Sequence, residues 1–520
     1  MYRSPRLTAA GSLFAGVLAV FALLLWNLQV VHGAEYLQKS QRSIALTEIV
    51  PAARGKLLDR NGRILARDVA VRREEQTPDG LSFSYTVERT GSGVLAPHAL
   101  GRVGKLSPAE WETYSPLGYA MDSIVGKDGA EAAFESVLHG VPGKRLTQLD
   151  REGNPVETVW TTLPRRGRNV TLTLDSRVQE AARTALSDFL NAHPAAVGGA
   201  IVALDVNDGG VLAMASLPGY DTETFSGDYA ALAADPRAPL MNRAAQGLYA
   251  PGSTFKLVTA AAALEEGILT PETQILDTGR YTYYKTPQPQ CWLYRQEGRT
   301  HGLETVSEAI ADSCNIFFYD AGRRVGIETL GTYARAFGLG EKTGIELAGE
   351  KAGVVAGPSY TESIGGTWYE GNVLSAAIGQ ENNRFTPLQL AQMTATLCNG
   401  GNRWQIHLLK GIEGEEPYQK KRLSSVRLSE KNAAAIKEGM LAVTRTGSLS
   451  AAFSALPVEA GAKTGSAQVT GSATSNAVLV CFAPYENPEI AVAIVAERGG
   501  SGSALGRVAA AVLQACFSRG

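Results

Sequence analysis

Tyr249-Ala250-Pro251-Gly252-Ser253-Thr254-Phe255-Lys256, continued by Leu257-Val258-Thr259-Ala260-Ala261-Ala262-Ala263-Leu264, is the stretch around which this chain is organised. Pro251 and Gly252 interrupt what precedes, and Gly267 can close the far end, so the spacing predicts a helix over Pro251 to Gly267. Its residues are apolar on nearly all sides, the pattern of a helix buried in a domain core. Residues three apart share a helix face, which puts Lys256 over Ser253. A serine hydroxyl is a poor nucleophile until a neighbour takes its proton. Lysine can do so only when neutral, so its usual pKa of about 10.4 must fall through desolvation and a nearby cation. The buried helix supplies the first and Lys463 is the candidate for the second. Taken alone, Ser253 reads first as a helix N-cap.

Two later strings change that balance. Ser313-Cys314-Asn315 has the residues to position a substrate and pass a proton. Lys463-Thr464-Gly465-Ser466 lies among small residues, from Gly461 to Ala467, in a strand-like segment. Glycine in a strand marks a close approach of another backbone, and an extended peptide can pair there as an added strand. Lys463 with the hydroxyls of Thr464 and Ser466 can hold a terminal carboxylate. In isolation Asn315 is a turn or capping residue and Lys463 a solvated strand lysine. Ser-x-x-Lys, Ser-x-Asn and Lys-Thr-Gly in this order are the signature of a penicillin-recognising acyl-serine enzyme.

Outward from these motifs, Val170 to Leu174 reads as a strand and Asp175 as the cap of a helix to about Leu190. Gly199 to Leu204 and Val211 to Ala215 read as strands joined by a turn at Asn207 to Gly210. Ala477 to Phe482 and Ile490 to Ala496 are apolar runs of strand length, and Ser503 to Phe517 is an Ala-rich helix. Strands from both ends with a helical middle predict an α+β domain over 169–520, one antiparallel sheet covered by helices. Residues 32–168 are more polar. Lys56 to Ala66 reads as a hairpin turning at Asn61-Gly62, and Glu75 to Gly80 as a loop.

Leu7 to Val31 carries no charged residue, and 25 helical positions suffice to cross a bilayer core. Arg3 and Arg6 precede it, which predicts a cytoplasmic tail (1–6) and an extracytoplasmic remainder. The rival, a cleaved signal peptide, fits less well: the run is long and His32-Gly33-Ala34 is a poor cleavage site. A net charge of −2 over 520 residues gives no reason to expect nucleic acid. All five cysteines fall in the external part, where disulfides persist. Their spacing does not suggest zinc. Cys291 and Cys314 read either as small buried thiols or as a disulfide that would distort the second motif and switch it off.

The chain resembles class B penicillin-binding proteins. Besides the three motifs, the match includes Asn242-Arg243, Phe317-Phe318, Phe337-Gly338-Leu339-Gly340, Gly349-Glu350 and Ile378-Gly379-Gln380. It continues through Thr386-Pro387-Leu388-Gln389 and Asn399-Gly400-Gly401. Nearer the N-terminus it includes Arg54-Gly55, Asp59-Arg60-Asn61-Gly62, Ile124 to Gly129 and Gly140-Val141-Pro142-Gly143. Ser466 stands where the family usually has threonine, and the membrane-proximal region is short for the family. The resemblance implies a penicillin-binding transpeptidase fold behind a β-rich pedestal, and peptidoglycan D,D-transpeptidation through an acyl-serine. Ser253 would be the nucleophile and Lys256 its base, with Ser313, supported by Asn315 and Lys463, relaying a proton. Thr464, Gly465 and Ser466 would bind substrate, the backbone N–H groups of Ser253 and Ser466 would form the oxyanion hole, and neither metal nor cofactor would be needed. It implies stem peptides and β-lactams as ligands and a membrane-embedded glycan polymerase as partner. It spans elongation, division and sporulation enzymes alike. D,D-carboxypeptidase activity and a non-catalytic assembly scaffold are the alternatives. A β-lactamase has no use for a pedestal, and a receptor would need more than the few residues before Leu7.

Overall fold

The computed structural model describes residues 5–42, 45–50, 52–77, 80–91, 93–149, 155–469 and 471–518. The chain divides into two compact units, Met1–Arg54 with His139–Gly167, and Gly55–Leu138 with Arg168–Gly520.

The smaller unit holds the N-terminal helix Pro5–Trp26, prolonged by a wider turn over Asn27–Val31. Ala9–Val31, 23 residues, is long and apolar enough to cross a membrane. Helix Gly33–Arg42 follows. A three-stranded antiparallel sheet has Gly143–Leu149 between Ala45–Val50 and Pro155–Thr162.

The larger unit is built on a five-stranded antiparallel sheet. In spatial order its strands are Val211–Leu217, Gly198–Asp205, Ile490–Glu497, Asn476–Ala483 and Gly461–Ala467. Side chains alternate across a strand, and both faces here are covered, which is why these strands read as unbroken apolar runs. Ile201, Ala203, Leu479, Val492 and Ile494 pack beneath helices Ser176–Ala192 and Gly506–Phe517. Ala200, Val202, Val478, Val480 and Val495 face the helical middle, with Leu257, Val258 and Leu390. Helix Ser176–Ala192 buries Val178, Ala182, Leu186 and Phe189, one helical stripe, and the Asp175 carboxylate accepts from the Arg177 N–H at 2.9 Å as its cap. The fold class is the α+β one expected.

A second five-stranded sheet joins Leu409–Ile412, Val170–Leu172, Leu57–Leu58, Ile64–Thr77 and Gly80–Thr90. The hairpin turning at Asn61-Gly62 is present, with Leu57 opposite Ala66 and Leu58 opposite Ile64. Leu57–Leu58 also pairs in parallel with Val170–Thr171, so residues 55–138 share a compact unit with the three motifs. The loop expected over Glu75 to Gly80 is a correction. Glu75–Thr77 and Gly80 are paired strand, Thr77 opposite Gly80, while residues 78 and 79 lie outside the described residues. Polar composition alone does not make a loop, because backbone pairing needs no apolar side chain.

Candidate active site

The segment carrying Ser253 is pinned from three sides. Tyr249 exchanges both backbone hydrogen bonds with Phe385, and the Gly252 N–H donates to the Gly379 carbonyl at 3.0 Å. The Tyr249 hydroxyl donates to Glu497, which also pairs with the buried Arg243. Gly252–Phe255 forms a 3-10 turn, and the α-helix proper runs only over Lys256–Glu265, every residue of it buried. Ser253 thus lies in a tight turn ahead of the helix and is half-buried, open to a ligand.

Gly379 has φ +74°, and a Cβ there would lie 2.2 Å from the Gly252 carbonyl oxygen. Gly379→Ala is therefore expected to strain the backbone and push the turn carrying Ser253 out of place. Its expected signature is a lowered unfolding midpoint together with slowed acylation. A variant that acylates at the wild-type rate would show that the turn tolerates the shift.

Lys256 is fully buried. Its Nζ donates to the Ser313 carbonyl (2.7 Å), the Asn315 Oδ1 (2.8 Å) and the Ser313 Oγ (3.2 Å). These three contacts match the three donors of an ammonium, and they tie the first motif to the second. The ammonium makes no hydrogen bond to Ser253. Ser313 has φ +56°, a left-handed conformation rare for a non-glycine residue, and this aims both its oxygens at Lys256. Asn315 opens helix Asn315–Val325, with Cys314 as its N-cap residue.

Burial pushes the Lys256 pKa down to about 8, partly opposed by the nearby Cys314, Cys291 and Glu304. Lys463, 1% exposed, is pushed well below the lysine range by burial and then by the Lys256 charge. Two lysines buried together resist sharing two charges. Desolvation is the main cause for Lys256, and the two lysines lie close enough that each disfavours the other's charge.

Lys463, Thr464, Gly465 and Ser466 lie on the edge strand Gly461–Ala467. One side pairs with Asn476–Ala483, Lys463 opposite Val480. The other passes the nucleophile turn: a Cβ on Gly465 would sit 2.7 Å from the Pro251 carbonyl oxygen and 3.3 Å from the Ser253 nitrogen. Only glycine permits that approach. Ser466 is exposed and Thr464 half-buried.

Asp277 and His301, which the sequence did not single out, join Cys291 and Cys314 in one cluster. Asp277, Cys291, His301 and Cys314 bring one donor atom each within 4.8 Å of the others. The His301 Nδ1 lies 2.7 Å from Asp277, and the Cys291 sulfur accepts from the Asn315 N–H at 3.4 Å. Both cysteines are free thiols. A hydrogen bond from Cys314, then one from His301, holds the Cys291 thiol below its ordinary range despite burial. Burial opposes charge on His301, but Cys291 and Asp277 outweigh it and hold its pKa up to about 9. One carboxylate, one imidazole and two thiols are the donors a tetrahedral Zn²⁺ takes. The expectation of no zinc site rested on spacing, and here irregular spacings fold into one cluster. Zinc added to chelator-treated protein is expected to stabilise it by about 2.7 kcal/mol at a hundredfold excess over Kd. An unchanged unfolding midpoint would count against metal binding there.

Family models place this geometry. The penicillin binding protein transpeptidase domain matches residues 199–517. The chain belongs to the penicillin-binding protein transpeptidase family. A penicillin-binding protein dimerisation domain matches residues 70–172. Among curated relatives, Escherichia coli K12 peptidoglycan D,D-transpeptidase MrdA is 28% identical over 599 residues, covering 96% of this chain and 92% of that protein. The Acinetobacter baumannii protein of the same name is 31% identical over 441 residues, 80% of this chain and 64% of that one. Of the solved structures, one describing the coordination of polymerization and crosslinking by a peptidoglycan synthase complex superposes with a TM-score of 0.81. It is 31% identical and covers 99% of both chains. This penicillin-binding protein is accordingly a serine-type transpeptidase, and its fold, with the smaller domain preceding the catalytic one, is the family's.

Proposed function

We propose that this protein cross-links peptidoglycan, with Ser253 attacking the carbonyl between the last two D-alanines of a stem peptide. Convergence of the three motifs carries the reading: Lys256 is bonded to Ser313 and Asn315, while Gly465 abuts the Ser253 backbone. Neutral Lys256 takes the Ser253 proton. The backbone N–H groups of Ser253 and Ser466 receive the oxyanion. Ser313, held by Lys256, passes a proton to the departing D-alanine and later takes one from the acceptor amine. The substrate lies along the free side of the edge strand, with its carboxylate toward Lys463, Thr464 and Ser466. β-Lactams imitate this dipeptide and trap Ser253. The apolar helix anchors the chain with its N-terminus in the cytoplasm, and the partner is a membrane-embedded glycan polymerase. The relative solved as a peptidoglycan synthase complex supports that pairing.

Product analysis tests the proposal. A stem pentapeptide with an acceptor amine should yield free D-alanine and the cross-linked product in equal amounts. D-Alanine with only the shortened, hydrolysed peptide would make the enzyme a carboxypeptidase. No D-alanine release from a protein that penicillin still acylates would overturn stem peptide as the substrate.

A further inference from the structure

The second motif carries a thiol at its centre, and another thiol stands against it. Cys314 separates Ser313 from Asn315, and its sulfur and that of Cys291 belong to the cluster whose donor atoms lie within 4.8 Å of one another. Both cysteines are buried and neither is bonded. The Cys291 sulfur accepts from the Asn315 N–H at 3.4 Å, at the start of helix Asn315–Val325, and the His301 Nδ1 lies 3.6 Å from it. A helix N-terminus and an imidazole are surroundings that favour the thiolate, the form of cysteine that attacks electrophiles. Cys291 also lies only one layer below the surface. Residues 282–288 ahead of it are mostly exposed, and so are Tyr294 to Glu297 behind it. A segment with so few buried contacts opens locally more readily than the core does, and hydrogen peroxide is little larger than water.

We propose that Cys291 is a site of oxidation by peroxide, that Cys314 closes it to a disulfide, and that closure slows acylation of Ser253. The inference rests on the acyl-serine reading above. The Cys291 thiolate attacks one peroxide oxygen. An S–O bond forms, the O–O bond breaks, and hydroxide leaves as water with the proton the thiol had lost. The Cys314 sulfur then attacks the Cys291 sulfur. The S–S bond forms, the S–O bond breaks, and a second water leaves with the Cys314 proton. Two electrons have passed from the thiols to peroxide.

Closure acts on Lys256 through the residues flanking Cys314. The three hydrogen bonds of the Lys256 ammonium end on Ser313 and Asn315. Bringing the sulfurs into bonding distance moves Cys314 between them and draws the Cys291 sulfur off the Asn315 N–H. Ser313 aims its two oxygens from a left-handed backbone, φ +56°, which persists only while its surroundings fix it. A misplacement of about 1 Å can cost about a hundredfold in rate. The disulfide form should therefore acylate about tenfold to a hundredfold more slowly than the dithiol.

The test exposes the full chain in detergent to hydrogen peroxide, after a chelator has left both sulfurs free. Peptide mapping should find the Cys291 and Cys314 peptides joined. Labelled penicillin should then acylate Ser253 about tenfold to a hundredfold more slowly, and dithiothreitol should restore the rate. Cys291→Ser is compared with itself before and after peroxide, and its rate should not change. Cys314→Ser, which keeps the attacking thiol and removes its partner, should carry a dimedone adduct on Cys291. No link between the two peptides, a linked form that acylates at the reduced rate, or equal slowing of Cys291→Ser would overturn the switch. A missing adduct on Cys314→Ser would overturn Cys291 as the oxidised thiol. The link is mapped without penicillin, so reduced wild type that fails to react with penicillin would sink the acyl-serine reading separately.

Discussion

Ser253→Ala will carry no penicillin adduct by intact mass, where wild type carries one. D-Alanine release should fall by a factor on the order of 10⁶, the scale seen when a serine nucleophile is removed from a protease whose other groups remain. No other described hydroxyl lies in the 3-10 turn at an open position: Thr254 is buried and donates to the Pro251 carbonyl at 2.9 Å. The loss should not be a folding defect. Ser253 is half-buried, and a substitution away from core contacts usually costs under about 1 kcal/mol. A thermal scan beside the mass spectrum separates the two. An adduct on the variant would move the nucleophile elsewhere and dismantle the mechanism.

Lys256→Met is the second large effect. It removes the amine that meets three acceptors of the second motif and leaves the Ser313 carbonyl and the Asn315 amide oxygen without that partner. Acylation should slow by as much as about 10⁴, the upper range for general-base catalysis. Lys256→Arg should be about as slow, because a guanidinium stays protonated and cannot accept the Ser253 proton. In wild type the active form is the neutral amine, and burial lowers its pKa from 10.5 to about 8. The acylation rate should therefore rise about tenfold per pH unit below about 8 and level off above it. Stability follows the same sign. Between about 8 and 10.5 the unfolded chain binds more protons at this residue than the folded one, so its contribution grows as pH rises through that window. An acylation profile flat from pH 6 to 9 would remove Lys256 as the base.

The fold was legible because its signals are local. The covered sheet reads as apolar runs, Asp175 as a cap, Asn61-Gly62 as a turn and Gly465 as a close approach, since each depends on neighbouring residues alone. Ser253, Lys256 and the strand of Lys463 were singled out the same way, by motif. Less legible were properties that arise only when distant segments meet. The left-handed Ser313 follows from the need to face Lys256 with two oxygens. Arg243 and Glu497 were unpaired in any local reading, and Glu75–Thr77 looked like loop until a partner strand stood opposite.

Sequence by itself determined the apolar anchor-length helix, the α+β order of elements and the three motifs on which the proposed acyl-serine chemistry rests. These follow from periodicity and residue type within a few positions. Tertiary structure alone decided how burial lowers Lys256, that Lys463 is buried close enough to feel its charge, and that Asp277, Cys291, His301 and Cys314 form one cluster. Desolvation and charge repulsion depend on what surrounds a group in space, and for these residues the surroundings come from segments far apart in the chain.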